Sequence, residues 1–237
     1  RKRPDFQLPD GQLGKRLREV LMGRDDRVLT CIADNYGSLE AYTEKAANDI
    51  RAYMTEDIRQ EHMDLLDRNM EYYDAYVSRP YILFKNKERA EALFQLWKRV
   101  WENRDVLIVE GSLTRNGYKN DLFNSAKSVK RLLAPAENAW AYYRNILEYI
   151  LENIDRKCLI IISLGPTATV LAYDLALAGY QAIDIGHIDN EYEWYLRRAD
   201  ERTDISYKYV HETVNGRSVE EINDADFDNQ IIARIGC

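Results

Sequence analysis

Residues 186–194 (GHIDNEYEW) bring together several side chains that can accept a proton. They include the imidazole of His187 and the carboxylates of Asp189, Glu191 and Glu193. Such a group after a strand can take a proton from a hydroxyl, and carboxylate oxygens also suit a divalent cation. An acidic first helical turn that complements the helix dipole explains the same residues equally well. Glu191 and Glu193 are two residues apart, so on a helix they point in different directions and cannot serve one site equally.

A glycine turn between an apolar run and a helix is the second candidate. Gly165, Pro166 and Thr167 join residues 158–164 (CLIIISL) to a predicted helix. Free backbone N–H groups and the helix dipole favour an anion such as phosphate at this place. Thr167 can equally well be a helix cap. The sequence contains neither the dinucleotide nor the P-loop glycine fingerprint, so the turn predicts a phosphate site only together with other polar groups.

A polar loop that starts at Glu110 is the third candidate. Arg115 in this loop can pair with a diphosphate through its fork of donors. Asn120 and Asp121, at the end of the loop, can contact a ligand or cap the next helix. Arg79 precedes a short predicted strand and is a further candidate for binding an anion, although an ion pair with an acidic neighbour is the more ordinary role for each arginine. His62 and His211 lie in polar segments, which predicts that both are solvated.

Apolar runs alternate with amphipathic segments along the chain, which predicts an α/β fold with a mainly parallel sheet and helices on both faces. The predicted strands are Arg27–Ala33, Tyr81–Phe84, Asp105–Val109, Arg131–Ala134, Cys158–Leu164 and Tyr180–Ile185. The predicted helices are Asp10–Met22, Leu39–Asp74, Glu88–Glu102, Leu122–Lys127, Asn138–Asn153, Ala168–Ala178 and Glu191–Arg198.

Four polar clusters follow predicted strands that end near Ala33, Glu110, Leu164 and Ile185. Ligands of open parallel sheets bind at the carboxyl ends of the strands. We therefore expect these four strand ends at one edge of the sheet, where they form a single ligand site.

Composition narrows the class of protein. The 237 residues suit one domain spanning 1–237. A net charge of −7 argues against a nucleic-acid partner, and no apolar stretch approaches the ~20 residues of an integral membrane segment. The three scattered cysteines form no metal-binding pair and fit a reducing cytoplasm. The sequence is compatible with a monomer and with a homo-oligomer.

The same segments, taken in order, resemble the motif series of the GT-D-type glycosyltransferases, a bacterial family first known as a domain of unknown function. The resemblance runs from about Phe6 to Val210. Its most specific strings are LGPTATVLAYDL at 164–175 and GHIDNEYEW at 186–194. Supporting matches lie at 78–81 (SRPY), 109–111 (VEG), 120–123 (NDLF) and 135–139 (PAENA).

The resemblance implies a Rossmann-like fold and a UDP-sugar as donor substrate. It implies transfer of a hexose to an acceptor glycan or glycopeptide, typically on serine-rich bacterial surface adhesins in the cytoplasm before export. Glu193 would be the base, and His187 its neighbour or a diphosphate ligand. The implied donor-binding residues are Arg79, Glu110, Arg115, Asn120, Asp121, Gly165, Pro166 and Thr167.

Family members hold a divalent cation, Mn²⁺ or Mg²⁺, with an Asp-x-Glu motif near the N-terminus, and this motif has no match here. Asp10-Gly11-Gln12 lacks the glutamate, so we expect the chain to start just after the motif. Tyr118 and Lys119 replace smaller residues of the family pattern. A non-catalytic nucleotide-sugar-binding or complex-forming module is therefore the alternative function. An oxidoreductase lacks support because the glycine fingerprint is absent.

Overall fold

The computed structural model describes residues 6–237, and its centre is a five-stranded parallel sheet. The strands of the described residues are β1 (Cys31–Ile32), β2 (Tyr73–Asp74), β3 (Asp105–Gly111), β4 (Ser128–Ala134), β5 (Leu159–Ser163), β6 (Gln181–Asp184) and β7 (Ile231–Arg234). The central sheet has the order β6-β5-β3-β4-β7, and β1 pairs with β2 in a separate small sheet. The predicted α/β fold with a mainly parallel sheet is confirmed.

Helices cover both faces of this sheet. The helices of the described residues are α1 (Gly11–Met22), α2 (Glu44–Tyr53), α3 (Glu56–Leu65), α4 (Glu88–Val100), α5 (Tyr143–Asn153), α6 (Pro166–Leu177), α7 (Ile188–Leu196) and α8 (Ala225–Gln230). Of these, α2 and α3 pack in a separate cluster with Leu83 and Phe84. Side chains alternate along a strand, so Ile108 and Ile161 pack with α4 and α7 on one face. Val109 and Ile162 pack with α5 and α6 on the other. The central strands are therefore buried on both sides.

The predicted strand at Arg27–Ala33 is wrong in extent and in place. It shrinks to the two residues of β1, outside the central sheet. The physical reason is exposure: Leu29 and Cys31 face solvent, so the run has no core to pack against. Three of the four predicted strand ends, at Glu110, Leu164 and Ile185, do share one edge of the central sheet.

Several other predicted boundaries change for local reasons. The predicted helix at 39–74 is two helices, because the Thr55 side chain caps a new helix at the backbone N–H of Ile58. Residues 81–84 form no strand and contribute one bridge, from Phe84 to Tyr42. Residues 122–127 are turns, and α5 begins only at Tyr143, after a short 3-10 turn.

The chain after α7 was not predicted. Residues 199–224 contain no helix or strand, yet they run back over the carboxyl edge of the sheet. Backbone contacts tie this irregular segment down, since the N–H of Tyr209 donates to the carbonyl of Leu113 at 2.8 Å. The chain then forms α8 and β7, which adds an edge strand beside β4.

Candidate functional site

A cavity of about 320 Å³ opens at the carboxyl ends of β3, β4, β5 and β6. The irregular segment and the first described residues close it from above. Its lining consists of Phe6, Gln7, Gly111, Thr114, Asn116, Pro135, Ala136, Asn138, Ala139, Ser163, Leu164, Gly165, Pro166, Thr169, Asp184, Gly186, His187, Asn190, Tyr209 and His211. This is the place where open parallel sheets bind their ligands.

The glycine turn forms one wall of the cavity. Gly165 has φ 55° and ψ −142°, a conformation that is essentially restricted to glycine. A Cβ atom there would lie 2.4 Å from the ring of Phe6. Pro166 is the first residue of α6. The backbone N–H of a first helical residue has no partner within the helix, so proline, which lacks this group, suits the position. The remaining N–H groups of the first turn give this wall a partial positive charge.

Asn138 fixes the first described residues across the cavity. Its backbone N–H donates to the carbonyl of Phe6 at 2.9 Å. Its side-chain oxygen accepts from the N–H of Leu8 at 2.7 Å and from Gln7 Nε2 at 3.1 Å. Asn138 itself is left-handed, with φ 60°, which asparagine tolerates better than most residues. The Phe6 ring then packs 4.4 Å from the ring of His211.

A carboxylate forms a second wall. Asp184 ends β6, and its Oδ2 accepts from Thr169 Oγ1 at 2.8 Å. Its Oδ1 accepts from the N–H of Gly186 at 3.0 Å. The residue stays accessible through the cavity opening, while burial by the surrounding protein raises the pKa of its carboxyl, against the opposing effect of these two hydrogen bonds.

Two imidazoles of the cavity lining lie close to a carboxylate outside it. Ligand atoms of His187, His211 and Glu212 all lie within 4.8 Å of one another. Burial lowers the pKa of His187 to about 3, so its ring is neutral at neutral pH and offers a lone pair. Arg79 donates to Glu212 at 3.1 Å, and Arg202 Nε lies 3.8 Å from the same carboxylate.

The lining is almost free of formal charge. Within the described chain, no lysine or arginine side chain lines the cavity, and Asp184 is its one carboxylate. A diphosphate in this cavity would therefore depend on backbone N–H groups and on a bound cation for its neutralisation.

The charged residues of the predicted site lie instead in the interior beside the cavity. Lys208 is fully buried, and its Nζ donates to Asp189 at 2.7 Å and to Glu193 at 2.9 Å. Asn120 Nδ2 donates to the same two carboxylates, at 2.9 and 2.8 Å. Tyr207 donates to the second oxygen of Glu193 at 2.9 Å. We call Asn120, Asp189, Glu193, Tyr207 and Lys208 the interior network.

A second buried ion pair lies at the end of β3. Glu110 is fully buried and pairs with Arg131. Its other oxygen accepts from the backbone N–H and the side-chain amide of Asn116, at 2.6 and 2.9 Å. Arg115 points away from the cavity and donates to the carbonyls of Tyr207 and Glu220. These contacts hold Asn116 in the cavity wall and anchor the irregular segment.

The predicted site residues thus separate into two groups. Gly165, Pro166 and His187 line the cavity. The others lie outside its lining, and four of them are in the interior: Glu110, Arg115, Asn120 and Glu193. Asp121 pairs with Lys98, and Arg79 pairs with Glu212. Thr167 is buried in α6, and its hydroxyl has no hydrogen-bond partner in the described chain. The roles assigned to all of these residues stay predictions.

Sequence reasoning missed Asn116, Asn138, Asp184 and His211. Asp184 had a signal, since it is the last polar residue of the predicted strand Tyr180–Ile185, directly before the GHIDNEYEW motif. The prediction that His62 and His211 are solvated is wrong. His62 is half-buried and shares a hydrogen bond of 2.7 Å with the Tyr36 hydroxyl, and the ring of His211 is half-buried between Phe6 and His187. Nothing in the sequence around His211 indicates this, since the irregular segment has no periodic pattern.

Residues 1–213 match the model of a family described as the glycosyltransferase GT-D fold. The chain belongs to this GT-D family. Two solved structures resemble it over nearly its whole length. A new glycosyltransferase (DUF1792) from Streptococcus sanguinis has a TM-score of 0.91 and 36% identity, covering 98% of this chain and 86% of that one. A second structure, described as the domain of unknown function 1792 with a distinct glycosyltransferase fold, has a TM-score of 0.90 and 37% identity, covering 97% and 82%.

Curated relatives of this GT-D chain are longer proteins. A probable glycosyl transferase Gly of Streptococcus gordonii is 38% identical over 97% of this chain and 33% of its own length. Glycosyltransferase GlyD of Streptococcus pneumoniae serotype 4 is 37% identical over 97% of this chain and 28% of its own length. The chain therefore spans about a third of these relatives. Among the described residues, none of the helices has the length and apolar character to cross a membrane.

Proposed function

We propose that the protein transfers a hexose from a UDP-sugar to an acceptor glycan on a serine-rich bacterial surface glycoprotein, in the cytoplasm. The observation that carries this proposal is the cavity at the carboxyl edge of the sheet, with the first turn of α6 as one wall. Gly165 adopts the backbone conformation that this turn requires and leaves room for the Phe6 ring. The N–H groups of the first turn of α6 favour the phosphates of the donor. Family membership and the relatives' names support a glycosyl donor.

We further propose that a divalent cation takes part. A suitable donor set combines the imidazoles of His187 and His211 with the carboxylate of Glu212. This mixture of nitrogen and oxygen ligands suits Mn²⁺ better than Mg²⁺, which prefers oxygen. When bound, the cation would stabilise the negative charge of the departing diphosphate. Arg79 and Arg202 contact Glu212, and both guanidinium groups would have to move away from this carboxylate when the cation binds.

The chain's own residues would bind and orient the donor. The α6 turn would hold a phosphate, and Phe6, fixed by Asn138, would shield that turn from water. The half-buried and neutral imidazole of His187 would accept a hydrogen bond or bind a cation without adding charge. Glu193 is the base that the family resemblance implies. Because its carboxylate already accepts from three side chains of the interior network, its role is tested separately below.

Ligand-induced stabilisation tests the proposal. Binding at about 100 times the dissociation constant adds roughly 2.7 kcal/mol to the free energy of unfolding, so UDP with Mn²⁺ should raise the melting temperature. Uridine, which lacks the diphosphate, is the matched control and should raise it much less. A melting temperature unchanged by millimolar UDP, with and without Mn²⁺, would reject a nucleotide site. Binding of UDP-sugars without any hydrolysis or transfer would favour the alternative, a non-catalytic nucleotide-sugar-binding module.

A further inference from the structure

We infer that Asp184 is the residue that recognises a vicinal pair of hydroxyl groups on the donor, one hydroxyl on each carboxylate oxygen. This inference rests on the proposed function, since it assigns a part of the donor to one wall of the same cavity. The ligand chemistry is a cis or trans diol, and it has two sources in a UDP-sugar: the ribose and the transferred hexose.

The geometry of the carboxylate is the first argument. Each oxygen of Asp184 accepts one hydrogen bond from the protein, Oδ2 from Thr169 and Oδ1 from Gly186. An ionised carboxylate offers about four acceptor positions, so each oxygen keeps one that is unused by these bonds. The two protein donors also hold the carboxylate plane fixed. A fixed pair of acceptors matches two neighbouring hydroxyl groups better than it matches a single donor.

The charge of the wall is the second argument. Asp184 is the one carboxylate in the described lining, so its oxygens attract neutral groups that donate hydrogen bonds and repel phosphate oxygens. A hydroxyl pair of the donor satisfies this requirement.

The local backbone is the third argument, because it positions Asp184 rigidly. Gly186 has φ +52°, and a Cβ there would come within 2.9 Å of Ser78 Oγ. The turn thus keeps its N–H aimed at Asp184. Ser163 Oγ donates weakly to the carbonyl of Gly186 at 3.4 Å and adds a further hydroxyl to the same wall.

Calorimetric titration in the presence of Mn²⁺ tests the assignment. The ligands are UDP, 2′-deoxy-UDP, UDP-glucose and inorganic pyrophosphate, titrated into the wild type and Asp184→Asn. Hydrogen bonds to a charged group are strong enough that the variant should bind the recognised ligand at least about 10-fold more weakly. If the ribose is the source, Asp184→Asn weakens UDP, and 2′-deoxy-UDP is weak in both proteins. If the hexose is the source, UDP is unchanged and UDP-glucose is weakened.

Pyrophosphate and a distant variant are the controls. Pyrophosphate carries no hydroxyl pair, so Asp184→Asn should bind it at least as tightly as the wild type does. Asp105→Asn removes a carboxylate at the amino end of β3, at the opposite edge of the sheet, and should leave every titration unchanged. Should Asp184→Asn fail to fold, the wild type alone decides through its discrimination between UDP and 2′-deoxy-UDP, and between UDP-glucose and its 2-deoxyglucose analogue.

The outcomes separate the two proposals. Equal binding of all nucleotides by the wild type and Asp184→Asn overturns this inference and leaves the nucleotide site standing. An equal loss for pyrophosphate and UDP also overturns it, because it shows general damage to the cavity. A wild type that binds none of the nucleotides overturns the proposed function and this inference with it.

Discussion

The cavity wall and the interior network use residues of the same motif in opposite ways. In the GHIDNEYEW segment, His187 and Asn190 face the cavity, whereas Asp189 and Glu193 turn inward to Lys208. Helical spacing explains the division, since Asp189 and Glu193 are four residues apart and share one face of α7. An acidic motif therefore does not make an acidic ligand site, because most of its carboxylates neutralise a buried lysine.

Glu191 of the same motif belongs neither to the cavity lining nor to the interior network. Its Oε2 accepts from the backbone N–H groups of Tyr81 and Ile82, both at 2.9 Å. The prediction that Glu191 and Glu193 point in different directions is confirmed. One carboxylate anchors a loop, and the other completes the interior network.

The largest effect is expected from Lys208→Met. This change leaves Asp189 and Glu193 buried without their cation, and breaking a buried ion pair on one side destabilises by about 3–5 kcal/mol. Urea unfolding would measure the loss. Lys45→Met is the matched control, because its pair with Glu201 is exposed and contributes only about 0–1 kcal/mol. A Lys208→Met protein within about 1 kcal/mol of the wild type would contradict the interior network.

Glu193→Gln is expected to lower the free energy of unfolding by about 2–3 kcal/mol, since hydrogen bonds to a charged group are lost. Lys208, Tyr207 and Asn120 outweigh the effect of burial and lower the pKa of Glu193, and a carboxylate with a lowered pKa is a weaker base. Turnover per folded molecule, measured by transfer assays well below the melting temperature, should nevertheless fall by ~100-fold or more if Glu193 is the base that the family resemblance implies. Turnover that is largely retained would confine Glu193 to the interior network.

Gly165→Ala tests the cavity side of the comparison. The alanine would be strained by about 1–3 kcal/mol in this backbone conformation and would displace Phe6. Both the melting temperature and the affinity for UDP should fall. Gly14→Ala is the control, because its position in α1 is helical and open, where alanine should stabilise by about 0.5–1 kcal/mol. Unchanged UDP affinity in Gly165→Ala would remove the α6 turn from the donor site.

The smallest effect is expected from His211→Asn. Removing one of the three grouped ligand side chains should weaken Mn²⁺ binding by about 10-fold or more, near 1.4 kcal/mol. Direct titration of Mn²⁺ would measure it. His62→Asn, far from the cavity in α3, should bind Mn²⁺ as the wild type does. Equal Mn²⁺ affinities for both variants would place the cation elsewhere.

The sequence predicts the strands that are buried on both faces better than those that are not. The apolar runs of β3 and β5 are stable only where both faces of the strand are buried. Their composition therefore predicts a place in the middle of a parallel sheet. The small sheet of β1 and the edge strand β7 are half-exposed, and their short patterns resemble loops. Tertiary contacts decide those elements, and a local pattern cannot reveal them.

The residues of the candidate site likewise differ in how far the local sequence predicts their positions. The Gly165 turn and His187 were predictable, because each follows a strand that ends at the carboxyl edge. The burial of Glu193 was not, since its partner Lys208 lies in the irregular segment, where no periodicity shows which side chain turns inward. Asp184 lies two residues before the GHIDNEYEW motif, at the end of an edge strand.

The irregular segment has a consequence for the order of folding. Residues 199–224 have no regular structure of their own, and Lys208 gains its partners only when α7 already rests on the sheet. A lone ammonium group does not enter an apolar interior before its carboxylates are in place. We therefore expect the segment to dock late, after the nucleus of sheet and helices has formed. The newly made chain would then acquire His211 and Tyr209, and with them a closed cavity, in one of its last steps.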